Sequence, residues 1–346
     1  MTHNAANLAG AQASTALDAA AGPVHAAPGA MARLLAYPLA RPLGALIVLL
    51  LINLFAVPGF FHLEVKDGHL YGAMVDILNR AAPLMLAATG MTIVIAMRGI
   101  DISVGAVVAL AAAVACTMAA AGQALWLAFA AALGAALLCG AWNGLLVAAL
   151  GLQPIVATLV LMVAGRGLAQ LVTDGQIVTV YRDDFFTLGS GYLLGLPVAL
   201  YVALAVVAAV SLAMRKTALG LFTQAVGVNP VAARLAGIRA GALVFASYAF
   251  CAVCAGLAGL IISSNIKSAD ANNAGLLLEL DAILAVTLGG TSLAGGKFNL
   301  VGSVIGALII QTLTYTVYSL GVPPEVNLVV KSLVVFAVCL SQRSKA

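Results

Sequence analysis

Long apolar stretches separated by short polar connections run through the chain from about residue 40 to its end. Most contain roughly 20 residues, the length that an α-helix needs to cross a bilayer core of about 30 Å. The pattern predicts an all-α membrane protein with about ten transmembrane helices, one or more of them broken. The predicted spans are Leu43–Phe60, Ile77–Met97, Val104–Ala121, Ala124–Leu150, Ile155–Val172, Leu193–Met214, Ala240–Ser263, Leu280–Leu293, Leu300–Leu320 and Val326–Leu340.

The eighth predicted span is the source of the broken-helix prediction. It is too short to cross a bilayer unaided, and it runs into a segment from Gly289 to Gly296 in which half the residues are glycine. Non-helical backbone at membrane depth is tolerated only against protein or a water-filled cavity. We therefore expect this segment to offer backbone groups to a hydroxylated ligand.

The start of the chain differs from the rest. Residues 1–35 are rich in alanine and show no apolar period, which predicts a disordered cytoplasmic tail followed by a transmembrane domain over residues 36–346. The first long apolar run, from Leu43 to Val57, has no small-residue cleavage site after it. This favours a retained first helix over a signal peptide.

Positive charge predicts the orientation, because cytoplasmic connections retain Lys and Arg. With the N-terminus inside, the inside segments hold Arg33, Arg41, Arg98, Arg215, Lys216, Arg234, Arg239, Lys297, Arg343 and Lys345. The outside connections hold only Lys66, Arg182 and Lys267. We therefore expect both termini to be cytoplasmic.

Composition supports a membrane protein and excludes several functions. Hydrophobic residues make up 63% of the chain and charged residues 8%, against roughly 45–50% and about 25% in soluble domains. The net charge of +4 then reflects topology, and it does not indicate nucleic-acid binding. Few ionisable residues lie within the spans, and no chain of Asp, Glu and His is present to carry protons.

The sequence predicts no catalytic residue, no cofactor and no metal site. Cys251 and Cys254 have the spacing of a metal or redox pair, but no His or acidic residue lies in the same predicted helix, which favours packing. Gly295-Gly296-Lys297 resembles the end of a phosphate-binding loop. Thr291 and Phe298, however, stand where that loop requires Gly and Ser or Thr. Any ATP hydrolysis is predicted to take place on another chain.

Polar residues in or near the spans are candidates for a substrate path. Neutral donors and acceptors suit a hydroxylated solute better than an ion, and helix-to-helix hydrogen bonding is the structural alternative. Arg166 lies mid-span between glycines, where we expect carbonyls or a carboxylate to take its donors. Asp281 can accept two sugar hydroxyls, or else pair with Arg80 or cap its helix. The candidates are Asn79, Arg80, Asn143, Gln153, Arg166, Glu279, Asp281 and Gln311.

The loop over residues 215–239 is far longer than a connector requires. Asn229 followed by Pro230 predicts an N-cap and a first-turn proline, so we expect a short helix over residues 229–236 that ends at Gly237. A short exposed helix with small residues on its surface is a docking element, and a helix lying on the membrane is the alternative. The predicted coupling residues are Gly227, Asn229, Pro230, Ala232, Ala233, Arg234 and Gly237.

Several segments resemble the permeases of ATP-driven (ABC) sugar importers of the ribose/arabinose/xylose class. They are the spaced pattern between Gly220 and Ile238, and the continuous segments 99–105, 153–159 and 279–296. Within that class, segments 76–83, 165–178 and 269–275 are most similar to the galactofuranose permease. One position departs from the class, because Arg98 stands where a glycine is usual before Gly99-Ile100-Asp101.

The resemblance implies a multi-pass permease of the bacterial inner membrane that moves a monosaccharide, such as galactofuranose or a related pentose or hexose, into the cytoplasm. It implies three partners: a cytoplasmic ATPase subunit, a periplasmic sugar-binding protein and a second permease chain, equal or related. The alternative function is a secondary carrier or facilitator that needs no ATPase. Such a protein would account for the neutral polar residues but not for the loop over residues 215–239.

Overall fold

Apolar helices make up most of the structure, a computed structural model that describes residues 39–66, 68–323, 326–333 and 336. Helices satisfy their backbone groups internally, so a chain this apolar adopts them in lipid. The predicted tail over residues 1–35 and the end of the tenth predicted span lie outside the described residues.

The helices follow the apolar runs closely. They are α1 (Ala40–Ala56), α2 (Ala73–Ala96), α3 (Val104–Ala120), α4 (Leu125–Ala148), α5 (Pro154–Val172), α6 (Thr187–Ser190), α7 (Val198–Lys216), α8 (Leu219–Val228), α9 (Pro230–Leu235), α10 (Ala240–Ile266), α11 (Leu278–Leu288) and α12 (Leu300–Ser319). A 3-10 turn covers Asp183–Phe186, and residues 326–333 are helical.

Within the described part of the chain, six helices are long and apolar enough to cross a membrane: α2, α4, α5, α7, α10 and α12. The chain is therefore a mostly helical, multi-pass membrane protein, as the apolar pattern predicts. The remaining predicted spans correspond to shorter helices. Helices α1 and α3 have 17 residues each, or about 25 Å, and α11 has 11.

Three short antiparallel strand pairs, which the sequence did not predict, lie in the connections. Strand β1 (Glu64–Lys66) pairs with β2 (His69–Tyr71), and β4 (Tyr192–Leu193) pairs with β5 (Leu196–Pro197). Strand β3 (Val178–Thr179) pairs with β6 (Ser268–Ala269). This last pair ties the connection after α5 to the connection after α10.

Small residues bring α4 and α10 close together. A Cβ added at Gly140 would lie 2.6 Å from the carbonyl oxygen of Tyr248, and one at Gly144 would lie 2.9 Å from that of Phe245. Glycine is therefore required at both positions for this approach. The spacing of these glycines predicts close helix packing, and the structure shows that the packing lies within this chain. Cys251 is buried and free in the same helix, as the packing interpretation predicts.

Candidate functional site

A non-helical segment over residues 267–277, here called the re-entrant segment, runs from the end of α10 back along that helix. Gly259 packs against Val108 of α3, and a Cβ at Gly275 would lie 2.7 Å from the Val108 side chain. Gly259 precedes the end of α10 by seven residues, a rise of about 10 Å. Helix α11 therefore begins about 10 Å inside the helical core, and its 11 residues make it a half-helix.

Backbone strain shows that contacts hold the re-entrant segment in shape. Lys267 and Leu277 have φ values of 60° and 63°, in the left-handed region that residues other than glycine rarely adopt. Each such residue costs about 1–3 kcal/mol, which the surrounding structure must offset.

Arg166 on α5 supplies the strongest of these contacts. Its Nη1 donates hydrogen bonds to the carbonyl oxygens of Ala271 at 3.0 Å and Ala274 at 2.7 Å. Bonds from a charged donor contribute about 1.5–3 kcal/mol each. The prediction that interior carbonyls would take its donors is confirmed. Within the described chain, Nε and Nη2 of Arg166 have no hydrogen-bond partner.

A row of polar groups continues from Arg166 along the surface. One turn further on α5, Gln170 donates through Nε2 to Oδ1 of Asn272 at 2.6 Å. Asn272 and Asn273 are exposed. Gln170 lies two residues before the end of α5, so this part of the row is at the end of that helix. The row therefore continues from the half-buried Arg166 to the exposed end of α5.

Asp270 orders the beginning of the re-entrant segment. Its carboxylate accepts hydrogen bonds from the side-chain amide of Asn273 at 2.7 Å and from the backbone N–H groups of Asn272 and Asn273 at 2.9 and 3.2 Å. These bonds fix the turn formed by Asp270, Asn272 and Asn273.

Glu279 lies in the first turn of α11, next to the end of the re-entrant segment. Its side chain is 4% exposed, and its Oε2 has no hydrogen-bond partner within the described residues. Gly105 lies against this carboxyl group, so that a Cβ there would overlap Oε2 and the carbonyl oxygen of Gly275. An acidic group in the first turn is favoured by the helix dipole. Its Oε2 is thus enclosed by α3 and the end of the re-entrant segment, with no hydrogen-bond donor among the residues that the structure describes.

Asp281 forms an ion pair with Lys331, whose Nζ lies 2.9 Å from Oδ2. The two side chains are 23% and 13% exposed. They line a pocket of about 320 Å³ together with Tyr318 and Asn327. The partner of Asp281 is thus Lys331, whereas the structural alternative in the sequence named Arg80. Sugar contact by Asp281 stays a prediction.

The Asp281→Asn variant is expected to unfold at a lower temperature, because Lys331 would keep its charge in a partly buried place without a carboxylate. The loss should be about 1–3 kcal/mol, measured by thermal unfolding in detergent. The double variant Asp281→Asn, Lys331→Met should recover most of it. If the single variant unfolds normally but sugar uptake falls, the ion pair is not structural and Asp281 contacts substrate.

Asn143 belongs to a second buried polar cluster. Its Nδ2 donates to Oγ of Ser103 at 2.9 Å, and Ser103 donates through its backbone N–H and Oγ to Oδ1 of Asp101 at 3.0 and 2.6 Å. Asp101 is 1% exposed. The cluster ties the turn between α2 and α3 to α4. Asp101 and Ser103 are not among the predicted site residues, because their role depends on Asn143, 40 residues after Ser103 in the chain.

Four predicted path residues lie elsewhere. Asn79 is half-buried, Arg80 and Gln153 are exposed, and Gln311 on α12 is half-buried. Within the described chain, none of them makes a hydrogen bond to the re-entrant segment. Of the predicted set, the structure brings Arg166, Glu279 and Asp281 to that segment, and Asp281 lines a pocket there with Leu276 and Leu277.

The glycine-rich residues 289–296 lie between the end of α11 and the beginning of α12. They do not divide one helix into two parts. Their N–H groups are used within the chain: Gly290 donates to Thr287, Gly295 to Ser292 and Gly296 to Ala96, at 2.8–3.1 Å. These bonds leave little for a ligand. Residues 289–296 are non-helical, as predicted, and a second non-helical stretch, the re-entrant segment, precedes α11.

The loop over residues 215–239 contains α8 and α9. Oδ1 of Asn229 accepts hydrogen bonds from the N–H groups of Val231 and Ala232 at 3.0 Å, and Pro230 is the first residue of α9. Gly237 ends the helix with a φ of 83°. The short helix predicted over residues 229–236 is confirmed as Pro230–Leu235.

Helix α9 has one buried face and one exposed apolar face. Ala233 is 4% exposed and packs with Val226 and Ala240, so it cannot be a docking residue as expected. Val231 and Leu235, one turn apart on the other face, are 57% and 86% exposed. Ala232 and Arg234 are exposed as well.

Gly227, which the sequence predicted to be a coupling residue, packs against backbone inside this chain. A Cβ there would lie 2.5 Å from the backbone nitrogen of Gly296 and overlap the carbonyl oxygen of Ala96. Only glycine allows α8 to reach these two segments. Gly227 therefore fixes the end of α8, from which α9 continues, against Ala96 and Gly296.

Comparison with known proteins gives one family and several similar permeases. The family described as "Branched-chain amino acid transport system / permease component" matches residues 73–339. The galactofuranose transporter permease protein YtfT of Escherichia coli is 51% identical over 310 residues, which cover 89% of this chain and 91% of that protein. No solved structure matches.

Two further relatives are described as permeases for other sugars. The fructose import permease protein FruF of Bifidobacterium longum is 39% identical over 284 residues, covering 81% of this chain and 80% of that protein. The ribose import permease protein RbsC of Escherichia coli is 37% identical over 309 residues, covering 88% of this chain and 94% of that protein.

Proposed function

This chain belongs to the family of transport-system permease components, and on that premise we propose that it is the membrane-spanning subunit of an ATP-driven sugar importer. The observation that carries the ATP-driven part is the exposed apolar face of α9, formed by Val231 and Leu235. A six-residue helix capped at both ends, with an unpartnered apolar pair, fits the cleft of a docking ATPase. A facilitator has no use for it.

The substrate that we propose is galactofuranose or a related pentose or hexose. The relative at 51% identity is a galactofuranose transporter permease, and the polar row on α5 and the re-entrant segment is suited to hydroxyl groups. Amides such as those of Gln170 and Asn272 both donate and accept hydrogen bonds, as sugar hydroxyls require.

We place the sugar path along the re-entrant segment. The free N–H groups of Arg166 can donate to a sugar, and the carboxyl group of Glu279 lies buried beside the end of the same segment. Half-helix ends and unwound backbone supply binding groups in many transporters. The path needs a second wall, because the polar row is open on one side of this chain. That wall is a second permease chain in this proposal.

The remaining partners follow from the same scheme. A cytoplasmic ATPase subunit binds α9 and hydrolyses ATP, and a periplasmic sugar-binding protein delivers the sugar to the other side. This chain itself is not an enzyme in the proposal, and it holds no cofactor.

For the topology we propose about ten spans with both termini cytoplasmic. Helices α1 and α3, the half-helix α11 with its re-entrant segment, and the helix that begins near residue 326 supply the spans beyond the six long ones. The docking helix α9 then lies in the cytoplasm, on the same side as Arg98 and Arg239.

Reporter fusions test the orientation. A fusion after Arg215 should show cytoplasmic reporter activity, and a fusion near Asp183 should show periplasmic activity, because positive charge concentrates on the side of Arg215. Alkaline phosphatase and green fluorescent protein fusions report the two sides. The reverse pattern would place α9 outside the cell and remove the coupling proposal.

The function itself is tested by purification and uptake. The chain is expressed together with an importer ATPase subunit and a sugar-binding protein from the same organism, and an affinity tag on the permease is used to ask whether the ATPase co-elutes. Uptake of labelled galactose, which contains the furanose form at equilibrium, is compared with uptake of ribose and fructose. Uptake that needs no ATPase would contradict the proposal.

A further inference from the structure

Three backbone segments meet at the C-terminal end of α2, and we call their meeting point the α2 junction. It consists of residues 96–98, 227–228 and 295–296. The N–H of Gly296 donates to the carbonyl oxygen of Ala96 at 2.8 Å. Gly227 lies within backbone contact of both. The end of α2, the end of α8 and the glycine-rich connection before α12 are therefore packed without intervening side chains.

Arg98 adds a side-chain bond across the α2 junction. Its Nη2 donates to the carbonyl oxygen of Val228 at 2.5 Å. Val228 is the last residue of α8 and directly precedes Asn229, the N-cap of α9. The guanidinium group thus holds the peptide from which α9 begins.

The backbone of Arg98 is strained in making this contact. Its φ is 65°, a conformation that suits glycine and costs free energy in arginine. A strained residue is retained where its side chain has a function. The long side chain also lies over the junction, because a Cβ at Gly295 would collide with its Cγ.

The turn that begins at Arg98 ends at the sugar path. Asp101 and Ser103 fasten it to Asn143 of α4. Two residues further on, Gly105 lies against Glu279 and Gly275. A continuous set of contacts therefore links α9 to the re-entrant segment through residues 98–105.

We propose that Arg98 is a positioning residue that couples α9 to the turn between α2 and α3, so that movement of α9 reaches the re-entrant segment. That α9 moves when an ATPase acts on it rests on the function proposed above. The physical link itself is a property of this chain alone. Arg98 contacts neither the sugar nor the proposed ATPase face.

Hydrogen exchange on the purified full-length chain tests the link without any partner. Arg98→Gly and Arg98→Ala both remove the bond to Val228, so the backbone amides of residues 231–236 should exchange about tenfold faster in each. Arg215→Ala removes an exposed arginine of α7 that makes no hydrogen bond within the described residues, and it should leave the exchange unchanged. Unchanged exchange in both Arg98 variants would overturn the proposal.

Thermal unfolding separates the bond from the strain. Arg98→Gly should unfold about 2 °C or more above Arg98→Ala, because only glycine relieves the left-handed backbone. Both variants should nevertheless lose, to the same extent, the coupling of ATP hydrolysis to sugar import. A purely structural role predicts the opposite, with coupling restored in the more stable glycine variant.

Coupling is measured in proteoliposomes that hold the permease, its ATPase and the binding protein, as ATP hydrolysed per labelled galactose imported. Both variants should raise that ratio at least about fivefold, and Arg98→Lys, whose ammonium group can reach the same carbonyl, should restore part of it. If the wild-type chain shows no sugar-dependent ATP hydrolysis, the proposed function fails, and the exchange experiment still decides the role of Arg98.

Discussion

Replacing Leu235 with arginine is expected to lower the amount of ATPase that co-purifies with the permease by at least about tenfold. Leu235 is 86% exposed and continues the apolar face that Val231 begins. In a docking cleft this leucine is buried, and a buried arginine without a carboxylate partner costs several kcal/mol. The measurement is the ratio of ATPase to tagged permease after affinity purification.

The same substitution separates docking from the alternative in which α9 lies on the membrane. An arginine at the level of the lipid headgroups is favourable, because the inner leaflet is negatively charged. The membrane alternative therefore predicts unchanged or increased retention of the ATPase. Leu194→Arg is the matched control, because Leu194 is 89% exposed in the connection between β4 and β5. It should not affect ATPase retention.

Replacing Arg166 with alanine is expected to reduce sugar uptake about 100-fold. Two carbonyl oxygens of the re-entrant segment lose a charged donor, which corresponds to about 3 kcal/mol or more. Because tenfold corresponds to about 1.4 kcal/mol, this loss is enough to populate disordered forms of the segment and to weaken the proposed sugar contacts. Uptake of labelled galactose is measured at equal membrane levels of permease.

Arg166→Lys distinguishes charge from geometry. A lysine keeps the charge but not the planar fork, so it should recover uptake only to about a tenth of the wild-type level. Lys66→Ala, which removes a positive charge from an exposed ion pair with Glu64, should leave uptake within about twofold. Normal uptake in Arg166→Ala would contradict both the anchoring role and the proposed path.

The helices could be predicted from the sequence because their signals are local. Apolar runs of sufficient length determine most spans, and the Asn229-Pro230 start and Gly237 stop determine α9. The faces of α9 could not be predicted. Ala233 is buried because Val226 and Ala240 happen to pack on it, and that contact depends on the tertiary structure.

The re-entrant segment was missed for the same physical reason. Its path depends on Arg166, more than 100 residues earlier in the chain, bonding to Ala271 and Ala274. Local composition pointed to residues 289–296 because they are rich in glycine. Glycine occurs where two backbone segments pack closely as readily as where a helix is interrupted. Gly296 packs closely against Ala96.

The pairing of β3 with β6 joins the connection after α5 to the beginning of the re-entrant segment. Arg166 joins the same two elements deeper in the protein. These two attachments hold α5 and the beginning of the segment together at two places along the chain. In the proposed transporter we therefore expect α5 and the segment to move together when the path opens and closes. With a second permease chain as the facing wall, as proposed, we expect the gate to lie at the boundary between the two chains.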